Sequence, residues 1–121
     1  MTPAELRAWV AARGGLTAAA VLLRGRLFEP RPFPIAYLDH GPAPGQCLAS
    51  TRALTRDRPQ LRPVVGYAAA RGIDGALQHV WAIDLDGLLV DPSWQNEGSA
   101  YYGFEVPRGQ LALLRAMGEG D

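Results

Sequence analysis

The spacing of apolar residues divides the chain into a helical first half and a second half with the two-residue period of β-strands. Near the start, Thr2, Pro3 and Glu5 stand in the order of a capped helix: a capping side chain, a proline in the first turn, and a glutamate that returns a hydrogen bond. A glycine pair at 14–15 ends this first predicted helix. Two further helices are predicted over residues 17–27 and 46–56.

Five prolines lie within residues 29–45, between the second and third predicted helices. Proline lacks a backbone N–H, so this segment is not expected to be helical, and only residues 35–38 have the apolar character of a strand. We interpret it as a long ordered loop, and long loops inside small domains tend to be functional. The helix that follows should expose Arg52 and Arg56. Its expected buried side chains are Leu48, Ala49, Ala53 and Leu54.

The second half of the chain has the pattern of an antiparallel meander. Strands are predicted over residues 61–70, 77–85, 88–91 and 101–106, and a C-terminal helix over residues 107–117. The order of the elements, helices first and an antiparallel meander afterwards, indicates an α+β fold. The length of 121 residues is that of a single domain, covering residues 1–121.

Charge and composition narrow the possible partners. Twelve arginines balance twelve acidic residues, so the chain has no long-range attraction for nucleic acid or for an anionic membrane surface. One cysteine and two histidines cannot form a disulfide or a structural zinc site, so neither a metal nor a cofactor is expected. The apolar stretch at 16–23 is too short to span a membrane and no small-residue cleavage site follows it. A cytoplasmic location is therefore expected.

Cys47 stands at the start of the third predicted helix. Free backbone N–H groups and the positive end of the helix dipole favour a thiolate at such a position. A lone cysteine is, however, usually a buried packing residue, so both interpretations stay open from position alone. His79 is similarly ambiguous, because it lies between Leu77 and Trp81 on a half-buried strand face. It is either a core histidine or a functional one with polar partners.

The register of the predicted hairpin decides whether Asp91 can meet His79. A two-residue turn would direct the two side chains to opposite faces of the sheet. A three-residue loop over residues 85–87 would instead pair Trp81 with Asp91, which places the Asp91 carboxylate diagonal to His79 on the same face. Two side chains can then close the remaining gap to a hydrogen bond. We therefore predict the three-residue loop.

A thiol, an imidazole and a carboxylate in this order have the chemistry of a cysteine acyl-transfer enzyme. His79 would take the proton of Cys47, the thiolate would attack a carbonyl carbon, and Asp91 would hold the imidazole in one tautomer. The developing oxyanion would accept a hydrogen bond from the Cys47 backbone N–H and from one further donor. Candidates for this donor, or for the wall of the site, are Gln46, His40 and Trp81.

Three short motifs in this order resemble the transglutaminase-like branch of the papain-like cysteine hydrolases. They read Gly45-Gln46-Cys47-Leu48, His79-Val80-Trp81 and Leu89-Val90-Asp91-Pro92-Ser93. The resemblance covers residues 45–93. It implies a papain/transglutaminase-like core over about residues 45–106, in which the Cys-bearing helix packs on an antiparallel sheet. It also implies that Cys47, His79 and Asp91 are the catalytic residues.

The same resemblance implies a thiol-dependent hydrolase of the protease, amidase or glutamine deamidase type, acting on a peptide or protein amide. Leu48 stands where amine-transferring members have tryptophan, and the likeness is greater to small bacterial or phage members, for which hydrolysis is the usual expectation. Two alternatives stay open: a catalytically inactive binding module on the same fold, and an amine-accepting acyltransferase.

Overall fold

Helices occupy mainly the first half of the chain and strands mainly the second. The computed structural model describes residues 1–107 and residue 110, so most of the C-terminal helix predicted over residues 107–117 lies outside the described residues. The helices are α1 (Pro3–Arg13), α2 (Leu16–Arg24), a 3₁₀ helix (Ile35–His40) and α3 (Cys47–Asp57). The strands are β1 (Arg26–Phe28), β2 (Arg62–Ala70), β3 (Leu77–Ile83), β4 (Leu89–Val90) and β5 (Gly98–Glu105).

The strands form one antiparallel sheet in the order β1-β5-β2-β3-β4. The sheet curls, so that the edge strand β1 approaches the turn next to the other edge strand, β4. The Arg26 guanidinium, on β1, donates a hydrogen bond of 3.2 Å to the Gly87 carbonyl, in the β3–β4 turn. Helices α1 and α2 pack on β2 and β5, and α3 packs on β2 and β3. The predicted α+β class is therefore confirmed. Within the described part of the chain, no helix has the length and apolar character needed to cross a membrane.

Side chains on the two faces of the sheet belong to separate apolar clusters. The cluster under α1 and α2 contains Val65 and Tyr102, together with Leu6 and Val21 from the helices. The cluster on the other face contains Phe28, Val64, Trp81, Ile83, Leu89 and Tyr101. Because successive residues of a strand point to opposite faces, the central strand β2 contributes to both clusters. His79 and Asp91, which lie on the Trp81 face, are buried.

The first helix begins as the sequence predicts. The Thr2 hydroxyl accepts a hydrogen bond from the Glu5 backbone N–H at 3.2 Å, and the Glu5 carboxylate accepts one from the Thr2 backbone N–H at 2.9 Å. The second helix ends earlier than predicted, at Arg24 instead of residue 27. Gly25 has an extended backbone and its N–H closes the last turn on Val21. Residues 26–28 then form β1 and gain ladder hydrogen bonds with β5, which local helix propensity cannot reveal.

The proline-rich segment is not entirely a loop, because residues 35–40 form a 3₁₀ helix in two turns that meet at Tyr37. The tighter 3₁₀ turn needs few consecutive hydrogen bonds, so it can fit between prolines. The strand ends also differ from the prediction: β3 ends at Ile83, β4 is limited to Leu89–Val90, and β5 begins at Gly98.

The buried face of α3 differs from the prediction as well. Arg52 and Arg56 are exposed as expected, but Ala49 is exposed too. The buried side chains are those of Thr51, Leu54 and Thr55. The Thr51 hydroxyl donates to the Val80 carbonyl of β3 at 3.3 Å, and the Thr55 hydroxyl donates to the Thr51 carbonyl at 2.8 Å. Each hydroxyl has a partner, so burial of these threonines carries no unpaired polar group.

The β3–β4 hairpin has the predicted three-residue loop. Ala82 pairs with Val90 and Ile83 with Leu89. The Asp84 backbone N–H donates to the Leu88 carbonyl at 3.0 Å, and Gly87 has a left-handed φ of 77°. Continuation of this register places Asp91 opposite Trp81. His79 and Asp91 therefore lie on one face of the sheet, as predicted.

Candidate active site

His79 and Asp91 form a buried pair on the sheet face away from α1 and α2. The His79 Nε2 atom lies 2.8 Å from the Asp91 Oδ2 atom, and the two residues are only 4% and 3% exposed. Two features of the sequence produce this contact: His79 alternates with Trp81 along β3, and the three-residue loop returns Asp91 to the same face. The contact can thus fix one tautomer of the imidazole.

The Asp91 carboxylate is fully surrounded by donors. Its Oδ1 atom accepts from the Ser93 backbone N–H at 3.0 Å and from the Ser93 hydroxyl at 2.8 Å. Its Oδ2 atom accepts from the Tyr101 hydroxyl at 2.8 Å in addition to His79. The Ser93 hydroxyl also lies 3.2 Å from His79 Nε2. A carboxylate that accepts several hydrogen bonds is held in its charged form.

Neither Ser93 nor Tyr101 was predicted as a site residue. Ser93 has a local signal, because a serine two residues after an aspartate commonly closes a turn on the carboxylate. Tyr101 has no such signal. It reaches Asp91 from β5, which is separated from β4 in the sheet by β3 and β2. Only the curl of the sheet, which the sequence pattern does not reveal, brings the two side chains together.

The charges of the pair follow from these contacts. Burial lowers the pKa of His79, but the hydrogen bonds and negative charges of Asp91 and Cys47 outweigh it and raise that pKa to about 9. Burial raises the pKa of Asp91, but the hydrogen bond and positive charge of His79, together with the Ser93 and Tyr101 donors, lower it below its ordinary value. Around neutral pH the pair is therefore an imidazolium beside a carboxylate.

Cys47 is the first residue of α3 and is partly buried. Burial raises the pKa of its thiol. A hydrogen bond from His79, the positive charge of that imidazole and the Val80 backbone N–H outweigh burial, so the pKa lies below its ordinary value. Helix α3 is held against β3 by the hydrogen bond between Thr51 and Val80. The thiol thus has the electropositive, partly accessible environment that favours reactive cysteines.

Two tryptophans pack near His79 in different ways. Trp94 stacks on the imidazole with ring centroids 4.1 Å apart and an interplanar angle of 16°, and it is partly exposed. Trp81 is completely buried, with its ring centroid 6.0 Å from that of His79. Its indole N–H has no hydrogen-bond partner among the described residues. Trp81 therefore supports His79 from the core, whereas Trp94 covers it at the surface.

His40 lies outside this cluster. Its Nε2 atom is 3.4 Å from an Asp57 carboxylate oxygen and 3.6 Å from an Asp39 oxygen. Asp57 is the last residue of α3 and Cys47 is the first, so the helix separates them by about 15 Å. The position seven residues before Cys47 made His40 a candidate oxyanion donor. The 3₁₀ helix carries it to the opposite end of α3 instead.

Gln46 stays next to Cys47 in the structure. It immediately precedes α3, is exposed, and its side chain does not cap the helix. Residues 45–49 line an open depression of about 370 Å³ at the N-terminus of α3. Gln46 and Cys47 therefore line the same depression.

No protein-family model matches this chain, and no curated protein or solved structure is significantly similar to it. Within residues 1–107 and 110, no group of three or more His, Cys, Asp or Glu side chains is arranged to hold a metal ion. A functional proposal for this chain therefore rests on the contacts and charges around Cys47, His79 and Asp91.

Proposed function

We propose that this chain is a thiol-dependent amide hydrolase with a papain/transglutaminase-like core. In this proposal Cys47 is the nucleophile, His79 is the general base and acid, and Asp91 orients His79. The observation that carries the proposal is the buried 2.8 Å contact between His79 and Asp91, next to a cysteine whose thiol pKa is lowered by the same imidazole. If His79 served only to pack the core, nothing would require a cysteine with a lowered thiol pKa, at the N-terminus of a helix, beside it.

The proposal gives each ring nitrogen of His79 a role. Nε2 contacts Asp91, so we propose that Nδ1 serves the Cys47 thiol. In the acylation step, Nδ1 holds the proton of Cys47 and the Sγ electron pair forms a bond to the carbonyl carbon of the amide. The carbonyl π electrons move to oxygen. Asp91 stabilises the imidazolium throughout, without becoming protonated.

The tetrahedral intermediate then collapses to a thioester. The C–N bond breaks, and the imidazolium gives its proton to the leaving nitrogen, which departs as an amine or as ammonia. In the second half-reaction, Nδ1 takes a proton from water while the water oxygen attacks the thioester carbon. The C–S bond breaks, which releases a carboxylic acid and restores the thiolate–imidazolium pair.

We propose two donors for the oxyanion. The backbone N–H of Cys47 lies at the N-terminus of α3, where the first N–H groups of a helix have no acceptor within it. The Gln46 side chain is the second donor that we propose, because it lies at the same depression and does not cap α3. A donor of this kind contributes roughly 100- to 1,000-fold to the rate.

Alkylation by iodoacetamide tests the activation of the thiol. Because Cys47 is the only cysteine, the mass increase of the intact protein reports on this residue alone. The alkylation rate should reach its plateau well below the pH of an ordinary thiol, which has a pKa of about 8.5. The His79→Ala variant should need a pH near that ordinary value, because it loses both the hydrogen bond and the positive charge.

The matched control is His40→Ala, which removes the other histidine of the chain at the far end of α3. Its alkylation profile should overlay that of the unmodified protein. If the unmodified protein titrates as an ordinary thiol, or if both histidine variants shift the profile equally, the proposed activation of Cys47 is wrong.

Substrate turnover separates hydrolysis from its alternatives. We expect a panel of glutamine-containing peptides to release ammonia or a shorter peptide, and hydroxylamine to intercept the thioester as a hydroxamate. Cys47→Ser should abolish both products. Efficient incorporation of a labelled primary amine, at the expense of ammonia, would identify an acyltransferase. A reactive thiol that yields no product with any amide would leave a binding module as the better description.

A further inference from the structure

Tyr101 makes one polar contact with the site, and it does so from a distant strand. Its hydroxyl donates a hydrogen bond of 2.8 Å to Asp91 Oδ2, the same oxygen that accepts from His79. Its ring packs against Trp81 and Trp94, with centroids 5.1 and 6.2 Å away, and the residue is only 2% exposed. A phenylalanine would fill the same space, so packing alone does not account for the hydroxyl.

We propose that Tyr101 is a positioning residue, which keeps the Asp91 carboxylate ionised and turned toward His79. This inference rests on the proposed function for its consequence at Cys47, because the hydroxyl acts on the thiol only through Asp91 and His79. Ser93 holds the other carboxylate oxygen through its backbone N–H and its hydroxyl. Tyr101 and Ser93 thus fix both oxygens, and a rotation of the carboxylate would break contacts on each side.

The charged groups around the contact between Asp91 and Tyr101 come from several elements. His79 from β3 and Cys47 from α3 face the carboxylate, and Glu97, just before β5, adds negative charge near Tyr101. Burial, Asp91 and Glu97 all raise the pKa of the Tyr101 hydroxyl. The phenol therefore keeps its proton and acts only as a donor toward Asp91. Loss of the hydroxyl should let the carboxylate take a proton at higher pH.

Carboxyl-carbon NMR of protein labelled with ¹³C-aspartate measures this effect directly. The Asp91 resonance is assigned by its absence in Asp91→Asn. In Tyr101→Phe we expect it to titrate at higher pH than in the unmodified protein. Replacing Tyr101 by 3-fluorotyrosine makes the phenol a stronger donor and should move the titration to lower pH. This second replacement keeps the hydroxyl, so it provides a test even if the phenylalanine variant folds poorly.

The consequence for Cys47 is measured by alkylation on the acid side of the pH profile. Protonation of Asp91 removes the partner of the imidazolium and also the negative charge that raises the pKa of the Cys47 thiol, so the Tyr101→Phe alkylation rate should differ from the unmodified rate by up to about tenfold there and equal it at higher pH. The matched control is Tyr102→Phe, the neighbouring buried tyrosine, which points to the other sheet face beneath Arg7. In Tyr102→Phe, the Asp91 titration and the Cys47 alkylation profile should match those of the unmodified protein.

Coincident Asp91 titrations in the unmodified protein and in folded Tyr101→Phe would overturn this inference, as would a Tyr101→Phe alkylation profile that overlays the unmodified one. The carboxyl titration needs no substrate. A failure to find amide turnover would therefore contradict the proposed function and leave this measurement to decide the role of Tyr101 separately.

Discussion

Asp91→Asn is expected to lower the rate of the proposed acylation of Cys47 by about 10³- to 10⁴-fold, because the neutral amide can neither stabilise the His79 imidazolium nor fix its tautomer. Asp91 has no substitute in the cluster, since Ser93 offers only a hydroxyl near the ring. The measurement is the single-turnover release of a leaving group from an amide or activated ester, at a pH where the unmodified protein is fully active.

The same substitution should also reduce stability. Four donors converge on the carboxylate, and the NH₂ group of asparagine would face at least one of them. An unsatisfied buried polar contact of this kind costs about 1–3 kcal/mol of unfolding free energy, which chemical denaturation can measure. The matched control is Asp84→Asn in the same hairpin, whose carboxylate pairs with Arg31. Acylation that falls less than tenfold in Asp91→Asn, or equally in Asp84→Asn, would contradict the assigned role.

Gly66→Ala is expected to destabilise the fold by more than about 4 kcal/mol, enough to prevent accumulation of folded protein. Gly66 lies on the central strand β2, where it pairs with His79 of β3 on one side and with Gly103 of β5 on the other. A Cβ atom at Gly66 would overlap the Tyr102 carbonyl oxygen and would lie 2.5 Å from the Gly103 Cα atom. Both are backbone atoms of a paired strand, so neither can move without breaking the ladder.

The matched control is Gly72→Ala, in the turn between β2 and β3. Gly72 has a left-handed φ of 82°, but a Cβ atom there would meet nothing within 4 Å. Its cost should be the backbone strain alone, about 1–2 kcal/mol. Thermal unfolding distinguishes the two variants. A Gly66→Ala protein that melts within a few degrees of the unmodified one would show that β2 and β5 do not approach as closely as described.

The sequence predicts those parts of the fold and site whose signals are local. The Thr2–Glu5 capping box uses two residues three positions apart, and the β3–β4 loop requires only a glycine at the left-handed position and a consistent strand alternation. The length of that loop determines the side of the sheet on which Asp91 lies. The position of Cys47 at the start of α3 likewise depends only on where the helix begins.

The parts that were missed depend on contacts between distant segments. Strand β1 forms because residues 26–28 reach β5, more than seventy residues away along the chain. Tyr101 joins the site for the same reason, and the 3₁₀ helix moves His40 to the far end of α3. Helix and strand propensities are weak compared with tertiary contacts, so these outcomes need the sheet order as well as the sequence.

Two arginines affect whether a strand of another molecule can pair with the outer strand β4. An outer strand with unpaired backbone groups is a template on which another chain can add, which leads to aggregation. Arg31 binds the Leu89 carbonyl of the outer strand β4, and Arg26 binds the Gly87 carbonyl beside it. Both arginines occupy backbone acceptors at this edge, so a strand from another molecule would find these carbonyls already bonded.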